Sequence, residues 1–127
     1  MKKIGEFIYP WGNGHYSRMM KLDEMLPKYL KEQCEMFYFS KGEIYKKLLK
    51  KLPGKKNNIH EILMPTPIDG KYGPSVSLSI LNMFFPVGTN QSLVNQVKNY
   101  MKKERAIYDK EKFDLVINDG DMGSNVL

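Results

Sequence analysis

Two short polar runs in this sequence have the composition of a reaction site. They are Gly12-Asn13-Gly14-His15, just after an apolar opening segment, and Asn118-Asp119-Gly120-Asp121, near the far end. Glycines at 12 and 14 let backbone approach a ligand closely, and a helix starting at His15 offers unpaired amides that favour an anion or a polarised hydroxyl. An imidazole takes a proton from a sugar or lipid hydroxyl near neutral pH when a carboxylate holds its other nitrogen and stabilises the imidazolium. His15 is therefore a candidate general base, with Asp119, or failing it Asp121, as the orienting carboxylate. Plainer readings stand beside this one. A histidine at a helix start can simply cap or pack, and Asn-Asp-Gly-Asp is also ordinary strand-ending turn chemistry.

The elements that must position these residues follow from hydrophobic periodicity. Ile4 to Tyr9 is an apolar run stopped by Pro10 and predicts a buried first strand. From His15, the residues Met19, Leu22, Leu26 and Tyr29 or Leu30 recur at helical spacing; Pro27 should kink or interrupt this helix near Met25. Glu35 to Ser40 predicts a second strand, Glu43 to Leu52 a helix ended by Pro53-Gly54, and Ile59 to Met64 a third strand. A Pro- and Gly-rich connection from Pro65 to Gln91 follows, within which the apolar stretch from Val76 to Phe85 predicts a short helix over the core or a hydrophobic rim. Ser92 to Lys112 predicts a long helix and Asp114 to Asn118 a fourth strand. The alternation predicts an α/β fold, a Rossmann-like parallel sheet with helices on both faces, as one domain over residues 1–127. Ligands of such sheets bind beyond the carboxyl ends of the strands, where both polar runs fall. Only the start of a crossover follows the fourth strand, so the domain reads as incomplete at its C-terminus.

Composition narrows the partners. A net charge of +6 suits an anionic partner, but the lysines are not interleaved with aromatics as nucleic-acid platforms require, so nucleic acid ranks last. Lys46, Lys47, Lys50, Lys51, Lys55 and Lys56 are expected on a solvated face. Leu78, Ile80, Leu81, Met83, Phe84 and Phe85 are expected in the core or an interface, with a membrane-facing rim as the sharper alternative. The single cysteine, Cys34, excludes an intrachain disulfide and offers no zinc set, and the opening apolar run is far too short to span a bilayer. These features fit a cytoplasmic protein without metal or cofactor, at most peripheral to the inner face of the membrane.

The run from Ile4 to Arg18, a strand followed by Gly-Asn-Gly-His and then an arginine three residues on, resembles the opening of GT-B glycosyltransferases, especially the MurG-like and UDP-glycosyltransferase group. Asp114-Leu115-Val116-Ile117-Asn118-Asp119 is similar to that family's later strand, whose terminal aspartate pairs with the histidine. The resemblance implies the acceptor-binding half of a hexosyltransferase that uses a nucleotide-sugar donor and a hydroxyl acceptor, soluble or lipid-linked. It implies His15 as base, Asp119 as its partner, and Gly12, Asn13, Gly14 and Arg18 as an acceptor-binding or donor-phosphate loop. In that family a second α/β domain holds the donor. The chain supplies none, so the resemblance implies a fragment, a truncated frame or a split-enzyme subunit whose partner chain carries the donor half, and no transfer by the isolated chain.

Two other classes compete. A nucleotidyltransferase places a glycine-histidine pair after its first strand but wants an earlier histidine near Gly12 or Asn13. A flavodoxin-like nucleotide or small-molecule binding module shares the element order but leaves His15 without a task; a receiver-like module needs acids where this chain has Tyr9-Pro10-Trp11.

Overall fold

The computed structural model describes residues 1–62, 68–88 and 91–120. Strand β1 (Lys2–Ile8) leads into helix α1 (Gly14–Leu30), followed by β2 (Cys34–Ser40), α2 (Gly42–Lys51), a short 3-10 segment (Pro53–Asn58) and β3 (Ile59–Glu61). A small antiparallel hairpin of β4 (Asp69–Gly70) and β5 (Gly73–Pro74) precedes α3 (Val76–Phe84), α4 (Leu93–Glu111) and β6 (Leu115–Asp119). The main sheet has the order β3-β2-β1-β6, and all of its pairings are parallel. This is the expected Rossmann-like α/β sheet.

Strand alternation sends side chains to opposite faces, and each face meets its own helices. Ile4 and Ile8 of β1 with Met36 and Tyr38 of β2 pack on Met19 and Met20 of α1 and on Ile44 and Leu48 of α2. The intervening Phe7, Phe37 and Phe39 pack on the other face with Tyr100, Met101, Ile107 and Tyr108 of α4 and with Phe113. Phe7 and Phe39 stack with ring centroids 4.2 Å apart. Helices on both faces explain why β1 and β2 read as continuous apolar runs.

One residue breaks that run. Glu6 lies wholly inside the α1 side of the sheet, and neither carboxylate oxygen has a hydrogen-bond partner among the described residues. Burial, reinforced by nearby Asp23, pushes its pKa up to about 8. Asp23 instead accepts a 2.5 Å hydrogen bond from the Tyr38 hydroxyl. On the opposite face Glu104 of α4 is also buried, and desolvation raises it to about 7.

Several boundaries differ from expectation. Helix α1 is not interrupted near Met25 but runs through Pro27 to Leu30. Pro27 sits in the last turn, where one missing backbone donor is a small loss and the tail is exposed to water. The predicted third strand is observed only as Ile59–Glu61; Leu63 and Met64 lie outside the described residues. The long connection holds the β4–β5 hairpin and α3 rather than loop alone. The six lysines from Lys46 to Lys56 are exposed, as a solvated face requires.

The largest correction concerns α3. Ile80, Leu81, Met83, Phe84 and Phe85 are exposed and only Leu78 is partly covered, so this stretch does not fill the core. Asn82 is the buried residue of the helix, with Ser79 half-buried on the same side and Ser77 exposed.

Candidate functional site

Parallel pairing of β1 with β6 brings the two polar runs together. In this register Ile8 stands opposite Asp119, and the Tyr9 amide donates to the Asp119 carbonyl at 3.2 Å. Both strands therefore end at the same level, and the loop from Tyr9 to Asn13 starts beside the Asp119 carboxylate. Gly12 turns this loop with a φ of +71°, a conformation that glycine adopts without a Cβ clash. Asn13 precedes the first turn of α1 without capping it through its side chain, which instead accepts a hydrogen bond from Lys47 Nζ of α2. The helix start is thus left open toward the strand ends.

His15, in the first turn of α1, reaches back to β6. Its Nδ1 lies 3.0 Å from Asp119 Oδ1. Arg18, one turn further along, spans the same carboxylate, with Nη2 3.2 Å from Oδ1 and 3.1 Å from Oδ2. The Arg18 Nη2 also lies 3.0 Å from His15 Nδ1. These three groups compete. Arginine only donates, so Arg18 can bond Nδ1 only while that nitrogen is an unprotonated acceptor. Once Nδ1 carries a proton it must give it to Asp119, which leaves Arg18 the second carboxylate oxygen and leaves Nε2 with the free lone pair.

Tyr9 and Gly120 hold the imidazole from the side. The Tyr9 ring meets His15 edge-on, with centroids 5.3 Å apart and planes at 71°. Burial raises the Tyr9 hydroxyl above its ordinary pKa. Gly120 has a φ of +95°, and a Cβ there would lie 3.1 Å from Tyr9 Cβ, 3.2 Å from Cγ and 3.6 Å from His15 Cε1. Gly120→Ala is therefore expected to cost about 1–3 kcal/mol in backbone strain and crowding. It should also displace Tyr9 and loosen the His15–Asp119 contact. Thermal melting reads the first effect and imidazole 15N shifts read the second; an unchanged melt would show that the turn tolerates a side chain.

No family model matches the chain, and no curated protein or solved structure matches it. The candidate site therefore rests on geometry alone.

That geometry unites His15, Arg18 and Asp119, with Gly12 and Asn13 in the adjoining loop and Gly14 opening α1. The alternative carboxylate, Asp121, lies outside the described residues. Three contributors were not legible in the sequence. Lys47 was one lysine among several, and only the packing of α2 beside α1 puts it on Asn13, with its ammonium 5.9 Å from the Tyr16 ring centroid. Tyr9 reads in the sequence as the end of the first strand, and Gly120 as part of the strand-ending turn. For Gly120 the available signal was its place directly after the candidate aspartate.

Charge at the site is suited to a polar, anionic ligand. Arg18 and Lys47 both lie at the start of α1, where the positive end of the helix dipole adds to them. A groove of about 260 Å³ lined by Lys2, Ile4, Leu30, Glu32, Asp114 and Leu115 lies at the amino ends of β1 and β6. It is separated from His15 by the length of the strands, about 20 Å, and is not part of this site. Among the described residues, no three His, Cys, Asp or Glu side chains are grouped to hold a metal ion.

Proposed function

We propose that this chain is the acceptor-activating half of a glycosyltransferase of the GT-B kind, acting on a nucleotide-sugar donor such as a UDP-sugar. The observation that carries the proposal is the 3.0 Å contact between His15 Nδ1 and Asp119 Oδ1 at the adjoining carboxyl ends of two parallel strands. That contact orients a base; ordinary turn chemistry does not require it.

The chemistry runs through His15 Nε2. It takes the proton of an acceptor hydroxyl as the oxygen attacks the anomeric carbon, forming the new glycosidic bond while the bond from that carbon to the nucleoside diphosphate breaks. Asp119 stabilises the imidazolium that results. Arg18, Lys47 and the first amides of α1 offer positive charge to the departing diphosphate or to an anionic acceptor. The competition within the Arg18–His15–Asp119 cluster gives this step an order. An anion that draws Arg18 away from Nδ1 leaves Asp119 to His15 and makes Nε2 the basic nitrogen.

The donor is held by a second α/β unit, contributed by the same polypeptide or by a partner chain. The isolated 127-residue chain is therefore expected to bind no nucleotide sugar productively and to transfer no sugar. Radiolabelled transfer from UDP-sugars to soluble and lipid-linked hydroxyl acceptors, measured for the chain alone and together with a donor-binding α/β unit, tests this. Turnover by the chain alone would overthrow the half-enzyme reading; no turnover in either case would remove glycosyl transfer altogether.

A further inference from the structure

His15 Nδ1 has one contact too many. It lies 3.0 Å from Asp119 Oδ1 and 3.0 Å from Arg18 Nη2, and only one of these is a hydrogen bond at a time. A protonated Nδ1 donates to the carboxylate and meets the guanidinium with N–H against N–H. An unprotonated Nδ1 accepts from the guanidinium and meets the carboxylate with lone pair against lone pair. The first state leaves the lone pair on Nε2, where the proposed reaction needs it. The second puts the proton of the neutral ring on Nε2, which then cannot take another from a hydroxyl.

Arg18 decides between the two states. Its Nη2 carries two hydrogens and lies 3.2 Å and 3.1 Å from the two Asp119 oxygens as well as against Nδ1. While it stays, the carboxylate has its counter-charge without His15, and a proton on Nδ1 would point at a cation. The resting arrangement is therefore the second, with Nε2 occupied. The three groups are not held alike. The side chains of His15 and Asp119 are 28% and 23% exposed, with Tyr9 and Gly120 against the imidazole, whereas that of Arg18 is 64% exposed. A Cβ on Gly14 would meet only Arg18 Nη1, at 3.8 Å, so among the described residues nothing fills the space between the helix start and the guanidinium. An ion pair so exposed is worth little in water, and an oxyanion that takes the guanidinium through two parallel bonds replaces it with a stronger one. Arg18 is the member that can leave.

We infer that Arg18 is a latch on the base: in the ligand-free chain it holds His15 with the proton on Nε2, and a diphosphate that takes up the guanidinium releases Nδ1 to Asp119 and exposes the Nε2 lone pair. This rests on the proposed function for what the released base then does, whereas the change of tautomer belongs to the chain by itself. The latch keeps the base idle until a phosphorylated reactant is in place and makes Arg18 a positioning residue that acts through His15. A nucleotide-linked donor and a diphosphate-bearing acceptor offer the same pair of oxyanions.

Nitrogen-15 spectra of the imidazoles test the latch at about pH 8, where an ordinary imidazole is neutral. The chain has two histidines, and the spectrum of His15→Asn assigns their signals. In the parent, Nδ1 of His15 should resonate as an unprotonated nitrogen and Nε2 as a protonated one. Inorganic pyrophosphate should exchange the two, changing the tautomer ratio about tenfold or more. Arg18→Met should show the exchanged pattern without any anion and should not respond to pyrophosphate. Its side chain is exposed, so thermal melting should stay near that of the parent, and the titration of the parent needs no variant. In parallel titrations, exchange by UDP assigns the release to the donor, and exchange by a water-soluble alkyl diphosphate assigns it to the acceptor. A ligand-free parent with Nδ1 already protonated, a tautomer ratio indifferent to pyrophosphate, or the same spectrum for the parent and a folded Arg18→Met would overturn the latch. Absence of glycosyl transfer with the exchange intact would overturn the proposed reaction and leave the latch standing.

Discussion

His15→Ala, in the assembly that includes the donor half, is expected to lower turnover by ~10²-fold or more, the scale on which a positioned general base contributes. Donor affinity should be nearly unchanged, because in the proposed mechanism His15 serves the acceptor hydroxyl rather than the donor. Asp119→Asn is the informative companion. It keeps the shape of the carboxylate but cannot stabilise an imidazolium, so turnover should fall while the fold survives. If His15→Ala left turnover intact, the histidine would be a packing residue at a helix start and the proposed chemistry would have no base. Asp119 also fixes Arg18, so its loss should disturb both partners and the effects of His15 and Asp119 substitutions should not add.

The second large effect concerns stability and sits away from the site. Glu6 has a pKa raised to about 8 in the folded chain, against an ordinary value of 4.5. Below about pH 4.5 the carboxyl is protonated whether or not the chain is folded, and its burial carries no charge penalty. As pH rises toward 8 the unfolded chain releases the proton and the folded chain retains it, so stability falls across that window and levels off above it. Every tenfold difference in proton affinity between folded and unfolded chain is worth about 1.4 kcal/mol, which makes the total several kcal/mol, a large share of a small domain's stability. Glu104, raised to about 7 by burial on the other face, adds a decline of the same sign. Glu6→Gln should flatten the pH profile in urea unfolding, and Glu6→Met should raise stability at about pH 8 as well by removing unpaired polar atoms. Parallel pH profiles for the parent and Glu6→Gln would mean that water or a counter-charge reaches this carboxylate.

Much of this architecture was legible because its signals are local. The apolar runs at Ile4 to Ile8 and Met36 to Phe39 announced buried strands, and their separation by helical periods announced parallel crossovers. His15 and Asp119 could be paired because ligands of parallel sheets gather at strand carboxyl ends, and the β1–β6 register brings these two ends level. Strand β1 begins earlier than its apolar run because Lys2 and Lys3 still pair at its edge, Lys3 donating to Glu111 at 3.0 Å and through its amide to Asp114 at 2.8 Å. Other features depend on contacts no window of sequence contains. The alternation shows which face Glu6 occupies, but not that the helices above it leave its carboxylate without a partner. The apolar count of α3 gives no direction. Only the spacing of Ser75, Ser79 and Asn82, together with the Ile68 amide and the Phe85 and Gln91 carbonyls that they bond, decides which side faces the protein.

The pairing of β6 with β1 joins the last described strand to the first, with residues such as Lys3 and Asp114 bonded across almost the whole chain. Closing so long a loop is slow and entropically costly, so this strand should dock late, onto a β1–β2–β3 sheet already covered by α1 and α2. A nascent or partly unfolded chain would then carry His15 without Asp119. Strand register adds a second condition, since a slip of one residue would turn the Asp119 side chain to the opposite face of the sheet. The His15–Asp119 contact is thus a proofread of folding: the proposed base would be armed only when the most distant parts of the chain have met in the correct alignment.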